Sequence, residues 1–257
     1  SLKKQLKKKN YIIILTIHSG LLNLSIKNYI AGFIFSFIYY RVDYLFFGSH
    51  SAKNWWLKKY PWMKINNCLV HYNGVKINPK QKTKNIKSKI NISFIGRLEK
   101  ENNPELFINI AKKYLKYKKK AIFHIFGDGS LLNYLKYNNA EKRIIFHGWT
   151  NKNKIYKLSD VILITSPINN FPYVALEAKS FGIPVISCSK GDIKKIIKNG
   201  VDGFIKYTNS PNSIIKLIEK VITKYKFFSK NSLKRSNNFE KINLCKIFWE
   251  SVNERKN

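Results

Sequence analysis

Five groups of residues stand where they could act on a charged, hydroxyl-rich ligand. They are an arginine after an apolar run (Arg97), glycines in turns after such runs (Gly96, Gly127, Gly129, Gly148), a polar loop (Asn169, Asn170, Phe171), a carboxylate (Glu177), and a histidine beside a glycine (His18). A guanidinium stays ionised and binds phosphate through two parallel hydrogen bonds. It can also stabilise negative charge that develops during a reaction, and one such donor is commonly worth about 10²–10³ in rate. Glu177 can accept hydrogen bonds from hydroxyls but would repel phosphate. Trp149 could stack on a flat ring or pack in the core. His18 faces a ligand or is a structural histidine bonded to backbone. Asp128 reads as a turn residue and His147 as structural.

These groups need a scaffold. Thr165–Ser187 reads as strand end, polar loop, helix (Tyr173–Phe181), turn at Gly182 and strand (Val185–Cys188). Glycine suits the left-handed residue just past a helix. A strand–loop–helix–strand unit puts its loop at the carboxyl edge of a parallel sheet, where open α/β sheets bind ligands. Further β-branched or aromatic runs begin near 91, 121, 144, 161, 184 and 204, separated by helical segments. That alternation predicts a doubly wound parallel sheet. Upstream, Tyr11–Ile17, Tyr44–Gly48 and Cys68–His71 read as strands and Ile26–Arg41 as an apolar helix. Ser51–Lys59 reads as a helix capped by Ser51. Helices are also predicted over Pro104–Tyr117, Asn151–Ser159, Ser213–Tyr225 and Phe239–Val252. The polar Pro79–Lys89 stretch reads as a linker. The expected division is 1–87, 88–228 and a C-terminal helical stretch over 229–257.

The central stretch resembles the donor-binding signature of family-4 glycosyltransferases, which have the GT-B fold. That pattern is a Glu, seven intervening residues, a Glu-Ala pair and then Gly-x-Pro-Val. Glu177-Ala178 and Gly182-Ile183-Pro184-Val185 match, while Asn169 stands where the first Glu would be. Asn73-Gly74-Val75, Gly96-Arg97-Leu98, Gly127-Asp128-Gly129, His147-Gly148-Trp149 and Gly200-Val201-Asp202-Gly203-Phe204 extend the resemblance, from about His18 to Phe204. The family usually has a Lys five residues after the Arg; here that residue is Asn102, with Lys100 nearby.

The resemblance implies a complete donor-binding domain and a truncated Rossmann-like first domain on the acceptor side, with the last helix recrossing to it. It implies a retaining hexosyltransferase that uses a nucleotide-diphosphate sugar and needs neither metal nor other cofactor. Its acceptor would be a cell-envelope glycan or lipid-linked glycan, as in lipopolysaccharide or polysaccharide assembly. By resemblance Arg97, with Lys100 and the Asn102 position, would meet the diphosphate. Gly127 and Gly129 would line the donor cleft, and Gly148 and Trp149 would flank the base. Glu177 would hold the ribose, the Asn169–Phe171 loop would face the sugar, and His18 would approach it from the first domain. The departures at Asn102 and Asn169 leave open a decayed homologue with weak nucleotide binding.

The formal net charge of +34 in 257 residues raises another class, a basic nucleic-acid-binding protein. Against a specific nucleic-acid partner, the cations are mostly Lys, spread along the whole chain. They accompany abundant Ile and Asn, a composition that A/T-rich codons produce. Such a surface would still contact an anionic membrane peripherally. Cys68, Cys188 and Cys245 show neither metal spacing nor a disulfide framework, which predicts a reducing compartment and a cytoplasmic protein. The apolar run Tyr29–Tyr40 is too short to span a bilayer and predicts a buried helix.

Overall fold

A computed structural model describes residues 13–17, 32–34, 36–37, 42–63, 68–77, 83–86, 89–117 and 120–253. His18 lies outside them. The chain divides into two compact units, residues 1–73 with 242–257, and residues 74–241.

In the first unit, β1 (Ile14–Ile17), β2 (Tyr44–Phe47) and β3 (Cys68–Val70) form a parallel sheet in that order. All four residues of β2 are buried, as a continuous apolar run predicts, whereas β1 is only half-buried and exposes Thr16. Helix α1 (His50–Lys59) packs Ala52 and Trp56 into the same core. Its cap is Ser49 rather than the expected Ser51. Ser49 has extended backbone, and its hydroxyl accepts the Ala52 N–H at 3.0 Å. Residues 32–34 and 36–37 are helical, but the expectation of a buried helix is corrected in part. The small residues Gly32 and Ser36 are buried, while Phe33, Ile34 and Phe37 are exposed. Phe33 and Phe37 instead gather around Trp62, whose indole N–H donates to Ser36 at 3.2 Å.

The second unit holds six parallel strands: β4 (Ile90–Ile95), β5 (Ala121–Phe126), β6 (Ile144–Gly148), β7 (Val161–Ile164), β8 (Val185–Ser187) and β9 (Gly203–Ile205). Their spatial order is β6-β5-β4-β7-β8-β9. The chain thus winds outward from β4 in one direction and then returns to lay β7 against β4. The β4/β7 boundary is a topological switch point, where neighbouring loops diverge and leave a crevice.

Helix α2 (Pro104–Tyr117) buries Leu106, Phe107, Ile110, Ala111 and Tyr114 on one stripe against β4 and β5. Five shorter or later helices follow: α3 (Leu132–Tyr137), α4 (Lys152–Leu158), α5 (Tyr173–Ser180), α6 (Ile193–Ile196) and α7 (Pro211–Thr223). Helices α8 (Tyr225–Ser236) and α9 (Lys241–Asn253) end the chain.

The unit boundary differs from the expected 87/88 because residues after Asn73 are tied to the second unit. The Val75 N–H donates to Phe239 O at 2.9 Å, and the Lys241 N–H donates to Val75 O at 3.0 Å. Lys84 anchors the expected linker as well. Its backbone N–H donates to the Ser229 hydroxyl, and its ammonium caps α4 by donating to the carbonyls of Tyr156, Lys157 and Ser159. From Ile242 onward α9 belongs to the first unit, where Phe248 packs on Phe46 with ring centroids 4.5 Å apart. The expected break at 228/229 falls inside α8, which packs along α5 and stays in the second unit.

A polar thread crosses the second sheet. The Asn91 amide N–H₂ donates to Asp160, so its oxygen faces His124 Nε2 at 3.0 Å. His124 Nε2 therefore carries the proton, and Nδ1 accepts from His147 Nε2 at 2.9 Å. This makes His147 structural. Burial, then the neighbouring His147, lowers the His124 pKa from 6.5 to about 4. An unfolded chain binds the proton near pH 6.5, before the native state does, so stability should fall as pH drops from 6.5 toward 4. The expected loss at His124 is about 3 kcal/mol. Urea midpoints at pH 7 and pH 4.5 should differ less in a His124→Gln variant than in the natural chain. An equal pH dependence in both would contradict this.

Candidate active site

The carboxyl ends of the second unit's strands gather most of the residues singled out by sequence. Gly96 closes β4, and its N–H donates to Phe126 O at 3.0 Å. Gly127 follows β5 and donates to Gly148 O at 2.9 Å. The turns after β4, β5 and β6 are therefore bonded in a row. Gly127 is left-handed (φ +126°), and a Cβ there would lie 2.1 Å from Gly96 O. At Gly129 a Cβ would lie 2.6 Å from Leu98 O. Both glycines thus serve close backbone approach. Asp128 is a turn residue, with Oδ1 accepting the Gly129 N–H at 2.7 Å. Gly127→Ala should destabilise the unit by about 2–3 kcal/mol, through the clash and the strained φ together. An unchanged denaturation midpoint would contradict that reading.

Arg97 lies just beyond β4, exposed, with its guanidinium on Glu101 at 2.7 Å. Lys100 opens a single 3₁₀ turn, Lys100–Asn102, and is also exposed. Asn102 spans the switch point. Its side-chain amide donates to Arg97 O at 2.8 Å, and its own carbonyl accepts the Thr165 hydroxyl at 2.9 Å. Thr165 ends the β7 run, so Asn102 fastens the arginine turn to the loop that carries Asn169. Asn102 and Asn169 line the same small cavity, about 40 Å³, between the ends of β4 and β7.

The loop after β7 is held from below. The Asn169 N–H donates to Lys190 O, and Asn170 O accepts the Asp192 N–H, both at 3.0 Å. A Cβ on Gly191 would lie 2.3 Å from Asn169 O, so this contact too requires glycine. The Phe171 ring is buried against Phe239, which leaves the loop backbone and the asparagines, rather than that ring, for ligand contact. Trp149 is 82 % exposed, which excludes the core-packing role and leaves its ring open for stacking.

Glu177 projects from the second turn of α5, and the structure supplies partners that sequence reading missed. The Tyr156 hydroxyl donates to Glu177 Oε2 at 2.6 Å, and the Lys152 ammonium pairs with Oε1. Burial, then Glu177, pushes the Tyr156 pKa up, so its proton stays on this bond. Lys152 and Tyr156 are four residues apart on α4 and so share a helix face; that spacing was a legible signal. Glu177 opens onto a cavity of about 800 Å³ rather than onto the small one beside Asn102. Among the described residues no group of three or more His, Cys, Asp or Glu side chains could hold a metal ion. None of the helices there is long and apolar enough to cross a membrane.

The profile of the glycosyl transferases group 1 family matches residues 75–241, nearly the whole second unit. The chain belongs to that family. Its fold is that of GT-B glycosyltransferases. The Anabaena protein HepE, solved with UDP and glucose, superposes with a TM-score of 0.80 at 16 % identity, covering 98 % of this chain and 74 % of its own. An Escherichia coli UDP-Gal:alpha-D-GlcNAc-diphosphoundecaprenol alpha-1,3-galactosyltransferase is 35 % identical over 137 residues, which is 50 % of this chain and 35 % of the relative. The lipopolysaccharide 1,6-galactosyltransferase of Salmonella typhimurium is 30 % identical over 145 residues, 51 % and 39 % of the two chains. The chain thus covers well under half the length of either of these two relatives.

Proposed function

We propose that the second unit is the donor half of a retaining glycosyltransferase. It would move a hexose from a nucleoside-diphosphate donor to a glycan or lipid-linked acceptor of the cell envelope, at the cytoplasmic side of the membrane. The observation that carries this is the placing of the Arg97 turn, Asn102 and Asn169 at the β4/β7 switch point, on turns tied together through the Asn102 side-chain amide and the Thr165 hydroxyl. Arg97 and Lys100 meet the diphosphate and stabilise it as it leaves, in place of a metal ion. Glu177, its outer oxygen shared only with the exposed Lys152, exchanges that partner for ribose hydroxyls. Trp149 stacks on the base and Asn169 bonds the sugar. The galactosyltransferases and the UDP-bound HepE among the similar proteins support a UDP-hexose donor.

The test is transfer from UDP-hexoses to a lipid-linked glycan, with the product's anomeric configuration read by NMR. Retention is expected; an inverted product would refute the mechanism. Asn169→Glu restores a charge beside an oxocarbenium-like centre and should raise the rate by about tenfold. No gain would remove Asn169 from the sugar's surroundings. Asn102 is a poor site for the parallel change to Lys, since its amide already holds the Arg97 turn.

A further inference from the structure

A cavity of about 680 Å³ opens at the amino end of β9, between that strand and the corner where α7 passes into α8. The strands are parallel, so this is the opposite end of the sheet from Arg97, the glycine turns and Asn169. Its walls are aromatic. Phe228 is buried and packs against both Phe204 and Phe227, with ring centroids 5.4 Å apart in each pair. The Phe227 ring is nevertheless 50 % exposed. Gly200 stands at the mouth, and a Cβ there would meet nothing within 4 Å. The charged groups are two lysines, Lys220 and Lys224, and one carboxylate, Glu219. Glu219 is half-buried and accepts a hydrogen bond from the Tyr114 hydroxyl. Both lysines are exposed and pair with no carboxylate among the described residues. The volume lies within the range of small-molecule sites.

We propose that this cavity binds a fatty-acyl carboxylate, with its chain against Phe204, Phe227 and Phe228 and its head group at Lys220 and Lys224. An exposed apolar ring is ordinary, and so is an unpaired lysine in a chain of charge +34. Their combination around one cavity selects the ligand. The aromatic walls gain by taking a hydrocarbon chain out of water. Two ammonium groups at the edge of an apolar surface attract a carboxylate more strongly than a neutral head group. The concave shape suits a single chain rather than a bilayer, which meets a protruding apolar face. The site shares no residue with the donor site and does not depend on the transferase reading.

The experiment is calorimetric titration of the whole chain with decanoate, below its micellar concentration and at physiological ionic strength. Saturable binding of one decanoate per chain is expected. Hexanoate, four methylenes shorter, should bind at least about tenfold more weakly, since each buried methylene contributes about three- to fourfold. Thr223→Trp sets an indole in the cavity and should weaken decanoate binding by about tenfold or more. Phe227→Ser alters only an exposed ring and should weaken binding in the same direction if the bulkier change impairs folding. Lys220→Gln/Lys224→Gln should abolish the preference for decanoate over neutral decanol. Lys136→Gln/Lys142→Gln removes equal charge from exposed positions outside the cavity and should leave that preference intact. No saturable binding, or equal losses in the cavity and remote pairs, would overturn the proposal. Retention on phosphatidylglycerol vesicles without binding of free decanoate, lost in Phe227→Ser, would make this face a bilayer contact and overturn it as well. UDP binding should be the same in Thr223→Trp as in the natural chain. Its loss together with decanoate binding in a folded sample would refute the separation of the two sites, whereas decanoate binding in a chain that takes no UDP would sustain this inference and count against the donor reading alone.

Discussion

Replacing Asp202 by alanine should destabilise the second unit by about 3–5 kcal/mol, the largest effect expected of any single change in this chain. Asp202 is fully buried in the turn before β9 and holds three elements together. Its Oδ2 meets the Lys179 ammonium of α5 at 2.7 Å and Arg235 Nε of α8 at 2.6 Å. Its Oδ1 accepts the Lys198 N–H at 2.8 Å, and its carbonyl accepts the Ser232 hydroxyl at 3.2 Å. Lys179 is as deeply buried and also donates to Ile196 O. Burial lowers the Lys179 pKa, and Asp202 opposes that shift. Without the carboxylate, an ammonium remains in a dry site with one carbonyl partner. Thermal midpoints should fall by roughly 10 °C, at about 2–4 °C per kcal/mol for a chain this long. The double change Lys179→Met with Asp202→Leu removes both buried charges and should recover most of that loss, because Arg235 is part-exposed and can turn to solvent. A loss below about 1 kcal/mol in Asp202→Ala would show that the cluster is not what joins α5 to α8.

Arg97→Ala should lower the transfer rate by about 10²–10³ with almost no change in stability. The contrast follows from where the side chain sits. Its ion pair with Glu101 joins two exposed groups four residues apart, and such pairs contribute about 0–1 kcal/mol. The guanidinium can therefore leave Glu101 for a diphosphate at little cost, while the turn beneath it stays fixed by Asn102 and the Gly96 N–H. Arg97→Lys keeps the charge but loses the planar fork, and should recover only part of the rate. Steady-state transfer and thermal melts of the same preparations check both halves. A rate loss below tenfold would remove Arg97 from the reacting diphosphate.

The second unit's sheet was legible because every strand but β9 is a short apolar run that ends in, or is followed by, Gly, Ser or Thr, a pattern set by local sequence alone. Gly182 was legible for the same reason. It ends α5 with φ +69°, donating to Lys179 O at 2.9 Å. What escaped depends on contacts between distant residues. Lys179, Asp202 and Arg235 lie far apart in sequence, and each alone reads as a surface charge. Lys84 looks like one more lysine of a polar linker until its ammonium is seen capping α4. The shift of the α1 cap from Ser51 to Ser49 turned on backbone angles that both serines equally suggest. Of the candidate site, the arginine turn, the glycine turns and the asparagine loop were readable as motifs. That Asn102 ties two of them together was not, because an amide spanning the switch point leaves no trace in spacing.

The measurement that bears most directly on the donor site is calorimetric titration of this chain with UDP, GDP and ADP, before and after Arg97→Ala. Saturable binding of one nucleotide, UDP on the present reading, weakened at least tenfold in the variant, is the predicted result. A folded sample that binds none of the three, or binds one equally well without Arg97, would contradict the claim that these turns form a working donor site.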